Sequence, residues 1–560
     1  MAMLPFLRLS DAGEAQCEHA ARNDEQEHPL ASAALISRHS SPPAPSLALC
    51  TVVLLISELM WAFGLLLEAA WQSGYSDDDN DELRAFSVGE TVATWAACGA
   101  PALRVAVVRV GVALGAKDMR SIRTEAKMTR IFSWALGVLL TLVAAAMAQP
   151  LITEVYQLHS AASIALSYTL IHLIGNLFLY VFYANSYLLQ GMQHVKVYAT
   201  ITGLKTACML LSNWLAVMHL HGGPIGSGIA SASRNTLLAL ASGVYLRYCV
   251  PPISQVRVAA RTSSASSSPA SVPPSSPWPE PAASANHIVQ ARGGRRSRRL
   301  HVLRSTTSSL PPPLTAPTPT PPTFASPWGS FLVESLKLLL ASLPSVLTEM
   351  LAAAIASRGG HAGADVILRR MMGVPAAVES ALLAAALVVG SRLRGEGNGD
   401  AQLRYMSTIL LTALALGILL GLAFYPLRHP AFAAFSPSKE ALDILHSDAV
   451  GLVVTATCIV GPLASAAQGI AYATRRFGAV ALVNWIGLGL FAPAIALVAR
   501  YAPDSLAATR AAYLVNSTAS MLGCFVLTYK ERLALHRGAA VDLPPSLLAD
   551  SGVVTLPTDR

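Results

Sequence analysis

Long apolar segments recur along the chain and are separated by short polar turns. Six lie near residues 47–70, 86–114, 130–149, 161–186, 197–218 and 224–248, and six more near 330–356, 369–391, 405–426, 446–471, 477–500 and 506–529. Most approach or exceed the ~20 residues that a helix needs to cross a bilayer. Because backbone groups within lipid must be hydrogen-bonded internally, the pattern predicts an all-α polytopic membrane protein with 12 transmembrane helices.

The composition supports this interpretation. Of the 560 residues, 53% are hydrophobic and only 13% are charged, whereas a soluble domain carries about 25% charged residues. The net charge of +8 comes from short basic patches between apolar segments, a distribution that favours membrane orientation over a nucleic-acid partner.

The sequence carries no recognisable signature of catalysis. The seven cysteines include no CxxC pair, and HExxH, Walker and G-x-S-x-G patterns are absent. We therefore expect no enzyme activity, no bound metal and no cofactor.

Polar segments divide the chain into five parts. Residues 1–46 carry charges of both signs and are predicted to be a disordered tail, followed by a first lobe at 47–250. Residues 251–328 are rich in Ser and Pro and are predicted to be a disordered linker, because this composition buries too little apolar surface to order the chain. A second lobe at 329–530 and a tail at 531–560 complete the predicted organisation.

Basic residues predict the orientation in the membrane. They follow the even-numbered segments, as at Lys117, Arg392 and Arg475, whereas the first connection contains the acidic run SDDDNDE. Positively charged loops remain in the cytoplasm. We therefore predict a multi-pass protein with both termini in the cytoplasm, in contact with the lipid bilayer.

The two halves of the chain resemble each other. Val110-Gly111-x-x-Leu114 returns as Val389-Gly390-x-x-Leu393, and Gln190-Gly191 returns as Gln468-Gly469, at nearly constant spacing. This repeat predicts two pseudo-symmetric six-helix lobes that enter the membrane from the same side. Proteins of this plan bind substrate between the lobes and move one lobe against the other, so the pattern favours a transporter over a channel.

Local motifs add a family resemblance. The stretch from Arg109 to Asp118, RVGVALGAKD, resembles the "RVG-x-x-LGAG" pattern of MATE (multidrug and toxic compound extrusion) transporters. The stretch from Asn213 to Ala230 and the two Gln-Gly pairs also resemble MATE motifs. The resemblance, over about 47–250 and 330–530, implies a monomeric antiporter that exports small organic, cationic or amphipathic compounds in exchange for protons or sodium.

Carboxylates within the apolar segments are candidates for the coupling-ion site, because ionisable groups in a membrane are costly. They are Glu58, Glu68, Glu349 and Glu379. The resemblance points to Glu68, while the family's seventh-helix glutamate position is occupied here by Ala352. The alternatives are that Glu68 is solvated at the outer interface and that Glu379 pairs with a nearby arginine, Arg369 or Arg370.

Aromatic and amide side chains are candidates for a substrate cavity. The aromatic ones could bind an organic cation through cation–π contacts, although most such residues face lipid. The amides could instead join helices within one lobe. The candidates are Trp61, Phe63, Tyr180, Tyr183, Asn213, Trp214, Gln468 and Asn484.

Two other functions remain open at this point. A lipid-linked oligosaccharide flippase would share the two-lobe plan, but its cavity should be strongly basic, whereas the intramembrane charges considered above are acidic. A transporter-derived scaffold or sensor would signal through the central linker.

Overall fold

The computed structural model describes residues 46–75, 80–248, 327–359, 361–435 and 439–536. Within these ranges the chain is helical and contains no β-strand, as the sequence predicts. Most of the predicted linker, nearly all of the N-terminal tail and most of the C-terminal tail lie outside the described residues. The five-part division of the chain therefore stays a prediction.

The described part of the first half contains seven α-helices. They are α1 (Leu47–Tyr75), α2 (Asn80–Ala96), α3 (Val105–Gly115), α4 (Met119–Pro150), α5 (Ala162–Gly191), α6 (Val195–Asn213) and α7 (Gly223–Tyr248). A 3₁₀ segment at Ala97–Arg104 joins α2 to α3, so that these three elements form one continuous rod. Pro101 lies inside that segment, where its missing N–H group disfavours a regular α-helix.

The second half, within the ranges described above, repeats this order with one additional short α-helix. It contains α8 (Pro327–Arg358), α9 (Ala362–Met371), α10 (Gly373–Gly395), α11 (Gly399–Phe435), α12 (Lys439–Leu445), α13 (Asp448–Ala473), α14 (Phe477–Tyr501) and α15 (Leu506–His536). Here α9 and α10 together occupy the place that the α2–α3 rod has in the first half.

Eleven helical spans within the described ranges are long and apolar enough to cross a membrane. They include one span for each predicted segment except the sixth. That segment is a helix, α7, with 26 residues, but it is not among the eleven. Its buried face carries Ser227, Ser231, Asn235 and Ser242, and these polar side chains lower its mean hydropathy. The predicted count of twelve membrane helices is therefore not confirmed, whereas the multi-pass membrane fold is.

Equivalent helices pack in equivalent ways in the two halves. In the first half α1 packs on α6 and α5 packs on α7, while in the second half α8 packs on α14 and α13 packs on α15. The halves meet through α10, which lies against α1 and α3, and through α8, which lies against the 3₁₀ segment. This pairing gives the two pseudo-symmetric lobes that the sequence repeat predicts.

Two glycines allow the lobes to approach at one end. This end, which we call the basic end, carries the turns at 115–119, 191–195, 395–399 and 473–477. A Cβ atom on Gly115 would lie 2.9 Å from the backbone nitrogen of Glu396. One on Gly395 would lie 2.9 Å from the carbonyl carbon of Val112. Real Cβ atoms do not come this close to backbone, so only glycine permits this crossing of α3 and α10.

Candidate functional site

A cavity of about 380 Å³ lies between the lobes. Its first-lobe wall comes from α1, the 3₁₀ segment, α5 and α6, and carries nearly all the polar and aromatic groups. Its second-lobe wall is α10 and is mostly apolar and small, with Ala376, Ala377, Leu383, Ala384 and Leu387. The two walls therefore differ in chemistry, one being charged and aromatic and the other smooth and apolar.

Glu58 is the only carboxylate among the residues that line this cavity. The Tyr198 hydroxyl donates a hydrogen bond to Glu58 Oε1 at 2.8 Å. Tyr198 is buried and reaches across from α6 to α1, which fixes the position of the carboxylate. Of the four predicted coupling residues, Glu58 is thus the one that the structure places in the cavity.

Lys205 lies opposite on α6, and only 5% of its surface is exposed. Its Nζ sits over the Trp61 ring, 3.6 Å from the centroid, and 5.4 Å and 5.6 Å from the ring centroids of Phe182 and Tyr183. A desolvated ammonium over an aromatic face gains about 2 kcal/mol. Three aromatic rings therefore hold this cation in place, and no carboxylate in the described part of the chain forms an ion pair with it.

Arg104 is the second cation of the cavity wall. It is the last residue of the 3₁₀ segment, and its guanidinium lies close to the Tyr187 side chain. The ring of Tyr187 stacks on that of Tyr183, with centroids 5.9 Å apart and planes inclined by 15°. The cavity is thus lined by two basic groups and one acidic group.

A third basic group stands behind the first-lobe wall. Arg234 on α7 is buried, and its guanidinium carbon is 5.4 Å from the centroid of the Trp61 ring. Its Nη2 donates to the Ser231 hydroxyl at 2.8 Å. The Trp61 ring is therefore approached by two cations, Lys205 and Arg234.

The other predicted coupling residues lie apart from the cavity. Glu68 is 7% exposed, and its Oε1 accepts a hydrogen bond from the Ser227 hydroxyl at 2.9 Å, inside the first lobe. The alternative that Glu68 is solvated is therefore wrong for this structure. Glu349 on α8 is exposed and does not line the cavity.

Glu379 lies inside the second lobe. Its Oε2 accepts a hydrogen bond from the Ser465 hydroxyl at 3.4 Å, between α10 and α13. The suggested pairing of Glu379 with a neighbouring arginine is not observed: Arg369 pairs with Asp365 at 3.1 Å, and Arg370 pairs with Glu90 in the first lobe. Both arginines precede Glu379 by more than two helical turns. Each forms its ion pair with a nearer carboxylate, Asp365 or Glu90.

The predicted aromatic lining divides into three groups. Trp61 and Tyr183 line the cavity. Tyr180 is buried within the first lobe, where its hydroxyl donates to the Ala96 carbonyl at 2.6 Å. Phe63 and Trp214 are 57% and 47% exposed and do not line the cavity, as expected for rings that face lipid.

The predicted amides all lie within a lobe and away from the cavity. Gln468 Nε2 donates to the Tyr472 hydroxyl at 2.8 Å, and Asn484 Nδ2 donates to the Ala341 carbonyl at 2.7 Å. Asn213 is fully buried without a hydrogen-bond partner in the described part of the chain. The Asn484 contact joins α14 to α8, which is the alternative role for these amides, whereas the Gln468 bond lies within the single helix α13.

Sequence reasoning missed Lys205, Arg104 and Tyr198. The two cations carry the same signal that selected the glutamates, an ionisable group inside an apolar segment. Tyr198 carried no such signal, because its role follows only from its contact with Glu58, 140 residues earlier.

Ion pairs connect the lobes at both ends of the cavity. At the basic end, Arg109 contacts Glu125 of its own lobe at 2.6 Å and Glu334 of the other lobe at 3.2 Å. At the opposite end, Arg370 pairs with Glu90 across the lobe boundary. Arg109 is the first residue of the RVG motif, so the motif supplies both a charged link and the glycine contact between α3 and α10.

Comparison with known proteins supports the fold. The MatE family model matches residues 47–215. No curated protein sequence matches the chain significantly.

Solved transporter structures superimpose over most of the chain. A MOP superfamily transporter from Pyrococcus furiosus, described as having a binding pocket of reverse polarity that suggests a different function, is 12% identical with a TM-score of 0.64, covering 88% of this chain and 97% of its own. The eukaryotic MATE transporter AtDTX14 is 13% identical with a TM-score of 0.64, covering 87% and 97%. A mutant of the Vibrio cholerae MATE transporter VcmN is 12% identical with a TM-score of 0.61, covering 87% and 96%. The resemblance found in the sequence is thus confirmed at the level of the fold: the MatE family model matches residues 47–215, and the chain has the fold of the MATE transporters.

Proposed function

We propose that the protein is a secondary active antiporter that exports small amphipathic organic compounds through the central cavity in exchange for protons or sodium. The observation that carries this proposal is the cavity itself, which lies at the boundary of two repeated lobes and contains a single carboxylate, Glu58. A site between repeated lobes can be reached from either side of the membrane as one lobe rocks against the other.

The size of the cavity favours a small organic substrate. Its volume of about 380 Å³ falls at the lower end of the ~300–1,000 Å³ typical of pockets for drug-sized ligands. An oligosaccharide linked to a lipid is far larger, so the flippase alternative is disfavoured on volume. The sequence argument against a flippase relied on acidic intramembrane charges and no longer applies, because the cavity wall carries Lys205 and Arg104.

Glu58 is our first candidate for the residue that binds the coupling ion, and Glu68 and Glu379 are the next candidates. Glu58 combines access to the cavity with a fixed position, since the Tyr198 hydroxyl holds one of its oxygens. The other oxygen is left for a proton or a sodium ion. Exchange of that ion on opposite sides of the membrane would supply the driving force.

A transport assay with matched variants tests the proposal. Purified protein in liposomes is given naphthalene-2-sulfonate or N-methylquinolinium, two fluorescent probes of similar shape and opposite charge, under a pH gradient or a sodium gradient in turn. We expect wild type to accumulate at least one probe under one gradient. Glu58→Gln should abolish the gradient-driven component, whereas Glu154→Gln, at an exposed glutamate, should keep it.

Two results would overturn parts of this proposal. Absence of gradient-driven movement of both probes would remove the transport assignment. Unchanged transport in Glu58→Gln would remove Glu58 as the coupling residue, and Glu68→Gln and Glu379→Gln would then be compared in the same assay.

The scaffold alternative is separated by a deletion. Removal of residues 255–325, which lie outside the described ranges, should leave transport intact if the lobes are a transporter. Loss of transport together with retained folding would favour a function that depends on the linker.

A further inference from the structure

We propose that the cavity selects organic anions, namely aromatic compounds that carry a carboxylate, sulfonate or phosphate group, and that Lys205 and Arg104 recognise the anionic group. This inference rests on the proposed function, because it names the substrate class of the same cavity. It replaces the expectation of a cationic substrate that the family resemblance suggested.

The first argument for an anionic substrate is the balance of charge on the cavity wall. Two side chains that line the cavity are basic and one is acidic. Behind the wall Arg234 contacts the same Trp61 ring, and the buried carboxylate of Glu68 offsets its charge. Charges inside a protein act more strongly on one another than they do in solution. An anion is therefore attracted and an organic cation repelled.

The second argument is that Lys205 already occupies the aromatic faces of the cavity. Aromatic residues in a transporter cavity would normally be candidates to bind a substrate cation. Here the Trp61 face already holds Lys205 at 3.6 Å, and Phe182 and Tyr183 face the same ammonium. A cationic substrate would have to displace Lys205 from these rings while remaining next to its charge. The rings thus orient the protein's own cation, as a preformed anchor for a negative group.

The shape of the opposite wall favours a flat apolar body on the anion. That wall consists of α10 residues with small or aliphatic side chains, including Ala376, Ala377 and Leu383. The stacked pair of Tyr183 and Tyr187 lies on the first-lobe side. An aromatic ring can pack between these surfaces while its anionic group reaches Lys205 and Arg104.

Substitution of Glu58 should change anion binding in the opposite direction from substitution of Lys205. It carries the same charge as the proposed substrate and lines the same cavity. Neutralising it should therefore strengthen the binding of an anion, whereas neutralising Lys205 should weaken it. A merely structural effect of the two substitutions would change binding in the same direction.

Binding of the two probes to the purified full-length protein in detergent tests the inference, measured by isothermal titration calorimetry. Naphthalene-2-sulfonate should bind more tightly than N-methylquinolinium. Lys205→Gln should weaken binding of the sulfonate roughly 10- to 100-fold, the range for loss of a charge-assisted contact. Lys205→Arg should retain most of the affinity for the sulfonate, and Glu58→Gln should bind the sulfonate more tightly. Lys196→Gln, at an exposed lysine of the same helix, should bind it as wild type does.

Three results would overturn the inference. One is tighter binding of N-methylquinolinium than of the sulfonate in wild type, which would leave the proposed transport function standing with a cationic substrate. The second is binding of the sulfonate that Lys205→Gln leaves unchanged. The third is absence of sulfonate binding to a wild-type protein that elutes as a single folded species. If Lys205→Gln fails to fold, Glu58→Gln still tests the inference, because loss of this carboxylate should tighten binding of naphthalene-2-sulfonate and weaken binding of N-methylquinolinium.

Discussion

The crossing of α3 and α10 at the basic end depends on glycine, and adding two methyl groups there should hold the lobes apart. A Cβ on Gly115 or Gly395 would approach backbone atoms of the other lobe at 2.9 Å or less, well inside the 3.4 Å at which ordinary contact begins. Backbone cannot move aside as the end of a flexible side chain can. Overpacking of this kind costs about 1–3 kcal/mol per site.

The cost falls only on the state in which this end is closed. At a single site, a cost of about 1–3 kcal/mol corresponds to a shift of roughly 5- to 150-fold in a two-state equilibrium. The double variant Gly115→Ala with Gly395→Ala should therefore favour the state that is open at the basic end. Gradient-driven transport should fall, because the cycle requires this end to close.

Pulsed electron paramagnetic resonance measures this shift directly. Spin labels are placed at Lys196 in the first lobe and Arg404 in the second, in a background without the seven native cysteines. We expect the distance distribution of the double variant to move to longer values. Gly399→Ala is the matched control, since a Cβ there would meet only Leu535 at 3.8 Å. An unchanged distribution in a folded double variant would refute the reasoning.

Two further predictions concern stability. Arg109→Gln leaves the buried carboxylate of Glu125 without its ion-pair partner, while Glu334 keeps Arg475 at 3.7 Å, and the loss should be about 3 kcal/mol. Arg476→Gln removes a largely exposed guanidinium and should cost less than about 1 kcal/mol. Denaturant unfolding in detergent compares the two, and equal losses would contradict the assigned burial. Asp118 caps α4 by accepting hydrogen bonds from the backbone N–H groups of Arg120 and Ser121, and Asp118→Ala should cost about 1 kcal/mol. Desolvation acts to raise the pKa of Asp118, but the Ser121 hydroxyl and the backbone N–H groups lower it below its usual value. The charge therefore stabilises the fold above the unfolded-state pKa of about 3.9, and this stabilisation is lost as pH falls through the folded-state pKa. Melting temperatures from pH 7 downward should show wild type losing its advantage over Asp118→Asn; a constant difference would contradict this assignment.

Much of the fold follows from local features of the sequence. The apolar segments lie within the observed helices because a helix is the simplest way to satisfy the backbone in lipid. The repeat of Val110-Gly111 as Val389-Gly390 marked α3 and α10, the two helices whose ends cross. The run RGEGNGD at 394–400 connects the end of α10 to the start of α11, and it contains Gly395, one of the two contact glycines, and Gly397, which has a φ of +67°. Gly395 thus permits the close approach of α10 to α3, and Gly397 permits the turn between α10 and α11.

The site was only partly predictable. Of the predicted residues, Glu58, Trp61 and Tyr183 line the cavity, whereas Phe63 and Trp214 face outward. In helices that are apolar on every side, the hydrophobic pattern gives little information about which face points inward. Trp61 and Phe63 are two positions apart and therefore point to different sides of α1, a distinction that the composition of the segment does not reveal.

The sequence by itself determined that the chain is an all-helical membrane protein built from two similar halves, because these properties depend on segment length, hydropathy and repetition. Only the tertiary structure decided which ionisable groups share a space. It brought Lys205 of α6 and Arg104 of the 3₁₀ segment to the same cavity as Glu58 of α1, and left Glu68, Glu349 and Glu379 elsewhere. The net charge of a cavity is the sum of the charges on side chains from helices that are distant in sequence. It depends on how each helix is rotated against its neighbours.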